Sequence, residues 1–224
     1  ILLTKANGVT LRNMVISDFG SDNIRLDGAG AYGLECVEVY SATAGNACFY
    51  IDGQFCTLEM CRTDAGVYSV YNGTNGDGLE IIGGHFEGPT TRCLHILAKR
   101  LIMTGGRQVP TITGPGGSYV NGTGSGFVNV EFAHQNGGTS YGIEVDTGGG
   151  TYCIVGCDIG GFSTGIILRE GSGVVTGCDI SANTTGVELV AGSYSGVIAG
   201  NHIGGVTNSI LHTSGNGRWH IGPN

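Results

Sequence analysis

The stretch Cys153–Gly161 reads CIVGCDIGG, and it returns almost unchanged as VVTGCDISA at residues 174–182 and more loosely as VIAGNHIGG at residues 197–205. Aligned on Ile154, Val175 and Ile198, the same frame steps back through Phe127, Met103, Ile81, Leu58, Leu34 and Leu11, with 21 to 27 residues between successive starts. WHIGPN, from Trp219, opens one more turn. Self-similarity at this period marks a solenoid, in which each repeat is a small unit that buries its apolar face only against its neighbours.

Each column of the frame has its own side-chain character. Three positions after the start the residue is small or apolar (Met14, Val37, Cys61, Gly84, Gly106, Val130, Cys157, Cys178), with Asn201 the exception. The next is charged or His in every copy but one, running Glu38, Arg62, His85, Arg107, Glu131, Asp158, Asp179 and His202, with Val15 at the start. Then apolar residues return, as in Ile16, Val39, Phe86, Phe132, Ile159, Ile180 and Ile203. In, out, in is the period of a strand. Just before it lies a column of Asn13, Cys36, Met60, Gly83, Gly105, Asn129, Gly156, Gly177 and Gly200. Gly and Asn tolerate positive φ best, so this column predicts a sharp left-handed corner.

A second family of strands precedes each frame, in NIRLDG, FYIDGQ, VYSVYNG, YVNGTG, GIEVDTG, GIILREG and GVELVAG. Apolar and exposed residues alternate there too, and several segments end on an Asp-Gly or Asn-Gly turn. The prediction is all-β: about ten coils of 21–27 residues, each with about three short strands, stacked at roughly 4.8 Å into a rod roughly 45 to 50 Å long.

Composition narrows the function. Glycine occupies 44 of 224 positions without a Gly-X-Y period, which excludes collagen and fits a turn-dense β protein. A net charge of −8 argues against nucleic acid or an anionic membrane surface as partner, and no apolar run approaches the ~20 residues that membrane insertion needs. The opening ILLTKANG lacks an initiator Met, so residues 1–224 are expected to be a single domain cut from a longer chain. The eight cysteines include no Cys-x-x-Cys pair, and Cys61, Cys157 and Cys178 share one inward column. They are expected to be free core thiols, formed in a reducing cytosol, with no metal and no cofactor.

Drifting coil length with an Asn/Gly corner resembles the right-handed parallel β-helix of the pectate-lyase-like superfamily, and the resemblance spans essentially the whole chain. Within it the chain looks most like a bacteriophage tailspike or tail-fibre segment. That resemblance implies a rigid homotrimeric rod in the virion tail or outside the cell, joined to other virion proteins and recognising a cell-surface polysaccharide. A polysaccharide lyase or glycoside hydrolase on the same fold, and a purely structural or adhesive β-helix, are the alternatives.

Candidate site residues lie on the second strand family. Its outward column is read as Arg25, Tyr50, Ser69, His95, Glu144 and Glu188, a mixture of rings, donors and acceptors. Asp27, Asp52 and Asp146 follow that strand at one position in different coils, and two carboxylates one or two rungs apart would have glycosidase spacing. The same aspartates also suit turns that bond their own backbone. NGDGLE, Asn75–Glu80, resembles the NTDG element of polygalacturonase-type hydrolases, although the rest of that family's motifs are missing. Asp52, Asp77 and Glu144 are therefore the catalytic candidates, and Arg25, Asp27, Tyr50, His95, Asp146 and Glu188 the substrate-binding ones. Thr104–Gly126, rich in glycine and proline, is the candidate projecting loop.

Overall fold

A computed structural model describes the backbone of the whole chain except residues 29, 112–115, 135–139, 183, 191–193 and 214–216, and leaves the side chains of 147–149 and 194 undescribed. It is an all-β parallel solenoid of about nine coils, close to the expected ten, with no helix among the described residues. Except at the two ends of the rod, the strands pair in parallel with strands one coil before and one coil after. Three ladders result. The first begins at Leu2–Thr4 and runs through Ile24–Asp27, Ala47–Ile51, Tyr68–Asn72, Arg92–Ile96 and Gly116–Val120 to Asn208–His212. The second includes Gln54–Glu59, Asp77–Ile82 and Lys99–Thr104, and the third Arg62–Asp64, His85–Glu87 and Arg107–Val109. In the first two coils the second and third ladders are one bent strand, Asn7–Ser17 and Tyr32–Ala42.

The bend is the left-handed corner. Asn13, Glu38, Met60, Gly83, Gly105, Asn129, Gly156, Gly177 and Gly200 all have φ between 50° and 68°. One residue differs from expectation: Glu38, not Cys36, turns the second coil. Cys36 pairs with Leu11 and Leu58 and is fully buried, so the frame there starts two residues later than Leu34. Accordingly Val39, Tyr40 and Ser41, rather than Val37, Glu38 and Val39, form that coil's third-ladder columns. The cause is the longer turn between Leu26 and Tyr32, set against Ile51 to Gln54 in the following coil, which lets residues loop out without disturbing the stack. Leu34 is itself inward and buried, one strand period away, so alternation alone does not separate the two choices.

The core is a set of apolar columns. Leu58, Ile81, Met103, Phe127, Ile154, Val175 and Ile198 are stacked by the second ladder and buried. Cys61, Cys157 and Cys178 are free and buried at the predicted inward position. Each stacked pair removes apolar surface at about 25 cal/mol per Å². Asn201 replaces the thiol in the last of these coils because its side chain is satisfied in place: its Oδ1 accepts from the Cys178 N–H (3.0 Å) and its Nδ2 donates to the Val175 carbonyl (3.1 Å). On the outer side, the charged column of the third ladder pairs along the rod, with Arg107–Glu131 at 2.9 Å and His202–Asp179 at 3.0 Å. Part of the candidate loop, residues 112–115, lies outside the described residues; around it Arg107–Val109 and Gly116–Val120 continue their ladders.

Candidate functional site

The first ladder presents one outward column that changes character along the rod. In register it reads Leu2, Arg25, Tyr50, Tyr71, His95, Tyr119, Glu144, Ile167, Glu188 and Leu211. Arg25, Tyr50, His95, Glu144 and Glu188 stand where the sequence placed them. Ser69 does not: it faces inward, fully buried, and accepts a hydrogen bond from the Thr63 hydroxyl at 2.8 Å. Tyr71 takes its place, and Tyr119 and the flanking Arg92 join the column.

The four rings form a continuous pile. Tyr50 and Tyr71 are stacked with centroids 5.2 Å apart and planes 8° apart, Tyr71 and His95 at 5.1 Å and 15°, His95 and Tyr119 at 5.1 Å and 19°. The parallel register fixes this spacing, because rungs repeat at roughly 4.8 Å. Rings touch face to face at roughly 3.5–4.0 Å, so the larger centroid distance means each is offset against the next, the arrangement their quadrupoles favour. Tyr68 adds edge contact to Tyr71 and a tilted contact to His95. Arg25 closes the pile at one end, its guanidinium 4.0 Å from the Tyr50 centroid. Arg92 lies 5.0 Å from Tyr119 at the other. The rings thus cover one another's faces, and each stays half-buried along the column.

Beyond Tyr119 lies a buried charge triad. Glu144 accepts from Arg92 at 2.6 Å and from Arg169 at 2.7 Å, with side-chain exposures of 7% for Glu144, 13% for Arg92 and 35% for Arg169. Arg92 reaches across a whole coil to do so, and the rung it crosses carries Gly116. A Cβ at Gly116 would sit 2.2 Å from the Tyr141 carbonyl oxygen. Asp146 accepts from the Tyr119 hydroxyl at 3.2 Å, and Asn121 donates to that same hydroxyl oxygen at 3.4 Å.

These contacts set the charge states. Burial, reinforced by Arg92 and opposed by Glu144, pulls the His95 imidazole down to about 4, so the ring in the pile is neutral near pH 7. Burial also raises the phenols of Tyr50, Tyr71 and Tyr119, with Asp52 adding to the first two and Asp146 to the third. Arg169 is raised by its bond to Glu144. Arg25 is raised because Asp22 and Asp27, at 2.8 and 3.2 Å, outweigh its burial.

The catalytic candidates are each held by their own partner. Asp52, buried, accepts from the backbone N–H of Asn75 at 2.9 Å and from its side-chain amide at 2.7 Å. It ties the turn after one first-ladder strand to the turn of the next coil, bonding a neighbouring coil's backbone rather than its own as the Asp-Gly context suggested. Asp77 lies on the second ladder and is clasped by both Nε and Nη2 of Arg100 at 2.8 Å, which lowers its pKa. Glu144 is spent on two arginines. Among the binding candidates, Asp27 holds Arg25, and Asp146 holds Tyr119. Glu188 stands two rungs beyond Glu144, separated from it by the buried Ile167.

A depression of about 310 Å³ on the second ladder, lined by Ile102, Gly126, Tyr152 and Cys153 among others, carries no carboxylate, imidazole or cation. No group of three His, Cys, Asp or Glu among the described residues is placed to hold a metal ion. No family model, curated protein or solved structure matches the chain.

Proposed function

We propose that the chain is a rigid β-helical rod that recognises an extended polysaccharide along its first-ladder face, as a segment of a virion tail spike or fibre or of a comparable surface-binding protein. The observation that carries the reading is the uninterrupted column Arg25–Tyr50–Tyr71–His95–Tyr119–Glu144, straight over roughly 24 Å at one polar edge per rung. The rung spacing is close to the length of one pyranose unit, so an extended glycan lying along the rod would meet equivalent groups at successive sugars. The groups are preorganised: stacking and the Arg92–Glu144–Arg169 triad fix their rotamers before a ligand arrives, which lowers the ordering cost of binding.

Cleavage finds less support, because Asp52, Asp77 and Glu144 are each engaged within the protein and Asp77 is lowered rather than raised in pKa. The virion setting and a three-fold assembly rest on the resemblance alone. The test is a binding screen of the whole chain against a glycan array, followed by the Tyr71→Ser variant. Binding that is weakened at least tenfold by Tyr71→Ser supports the reading. Absence of binding, or binding indifferent to Tyr71→Ser, Tyr50→Ser and Tyr119→Phe, overturns it.

A further inference from the structure

We infer that the glycan this face selects is uncharged, and that polyanionic polysaccharides are excluded from it. The inference rests on the preceding reading and concerns the chemical class of the ligand. Acidic glycans are held by guanidinium or ammonium groups that face no carboxylate, and every guanidinium along this column is already paired with one. Arg25 is committed to Asp22 and Asp27, Arg92 and Arg169 to Glu144. Beside the Nη2 that bonds Glu144, the Nη1 of Arg92 makes no hydrogen bond but is buried, so an anion in solvent cannot reach it without opening the triad. His95, in the middle of the pile, is neutral near pH 7.

The balance of formal charge points the same way. The triad alone carries one positive charge, but Asp146 acts on Arg169 and on Tyr119 beside it. At the other end Asp22 and Asp27 are balanced by Arg25 and by Lys5 beside Gly28, and Asp52 and Glu188 add negative charge to the face. A polyuronate laid along this column would place carboxylates beside carboxylates, and like charges brought together across an interface are strongly disfavoured. Neutral sugars suit what is left: hydroxyl groups donate to Asp27, Asp146 and Glu188, and accept from the Tyr50 and Tyr71 hydroxyls.

The experiment compares one backbone in two charge states. The whole chain is titrated with polygalacturonate and with its carboxyl-reduced, neutral form, with dextran and dextran sulfate, and with the strongest hit of the array, each at 20 and 300 mM salt. The expected result is that the ligands bound are neutral, at least tenfold tighter than their charged counterparts, with affinity that changes less than about twofold with salt. The Asp146→Asn/Glu188→Gln variant is expected to gain affinity for the polyanions at low salt. Preferential binding of a polyanion that weakens with salt and is lost on Tyr71→Ser would overturn the inference while leaving the glycan reading intact. Failure of every glycan to bind would overturn the reading, and this inference with it. Salt-sensitive binding of a basic peptide such as polylysine at the same face, in place of sugars, would also overturn both.

Discussion

Replacing Glu144 by Gln removes one charge from the triad while keeping its shape, and the structure sets the cost. The Glu144 side chain is 7% exposed and that of Arg92 13%, so the charge left behind on Arg92 has little water to turn to. Removing one partner of a buried ion pair costs about 3–5 kcal/mol. Arg169, at 35% exposure, recovers solvation, which brings the expectation to the lower end, about 3 kcal/mol. With a urea m-value of about 3 kcal/mol/M, the upper part of the range for small proteins, that is a fall of about 1 M in the unfolding midpoint. The reference is Glu131→Gln, which breaks Arg107–Glu131, where the side chains are 47% and 45% exposed; it should cost less than about 1 kcal/mol. Adding Arg92→Met to Glu144→Gln should restore part of the loss, since the unpaired guanidinium is the main penalty. Equal midpoint shifts for Glu144→Gln and Glu131→Gln would refute the reasoning, because they would mean that water reaches the triad as freely as the surface pair.

At the corner, Gly177→Ala meets no atom closer than 3.8 Å and should lose only the left-handed penalty of about 1–2 kcal/mol, whereas Gly106→Ala drives a Cβ to 2.5 Å from the Gly83 carbonyl oxygen and should cost clearly more; urea midpoints that rank them the other way contradict the placement of the corner. Thiol titration of the native chain should label Cys153 alone of the eight cysteines, since it is exposed while the others are buried and burial raises thiols such as Cys36, Cys93 and Cys61, the last to about 11; denaturant should release all eight. Because burial holds His95 near 4 in the folded chain against about 6.5 when unfolded, the unfolded state binds the extra proton between those values; the His95 contribution to stability should be lost as pH drops from about 6.5 to 4 and stay constant below, and His95→Phe should flatten the slope in that window in urea unfolding series.

The coil was legible because its signals are local and repeat: Gly156, Gly177 and Gly200 mark the corner, and Cys157 and Cys178 mark the inward step after it. It failed at Glu38, where a residue that rarely takes positive φ turns the chain and so carries no corner signal. The face was legible only in part. Asn72 occupies an inward position, buried and donating to the Ile51 carbonyl at 2.9 Å, where the register calls for an apolar side chain. That polar residue obscures the alternation of VYSVYNG and conceals Tyr71. Aligning the segment on Ile51 rather than on its Asn-Gly turn would have exposed the ring column. The Arg92–Glu144 contact had no sequence signal, since the two residues are 52 apart and meet only because the coils stack in register across Gly116.

The central claim is that the stacked column binds a glycan, and the most direct measurement is the affinity of the array's strongest glycan for wild-type chain, Tyr71→Ser and Gly177→Ala, the last a stability control at the corner between the other two ladders. The account requires Tyr71→Ser to weaken binding at least tenfold while Gly177→Ala, which should lose about 1–2 kcal/mol of stability, binds as wild type. Equal affinities for all three chains, or equal losses in the two variants, would contradict it.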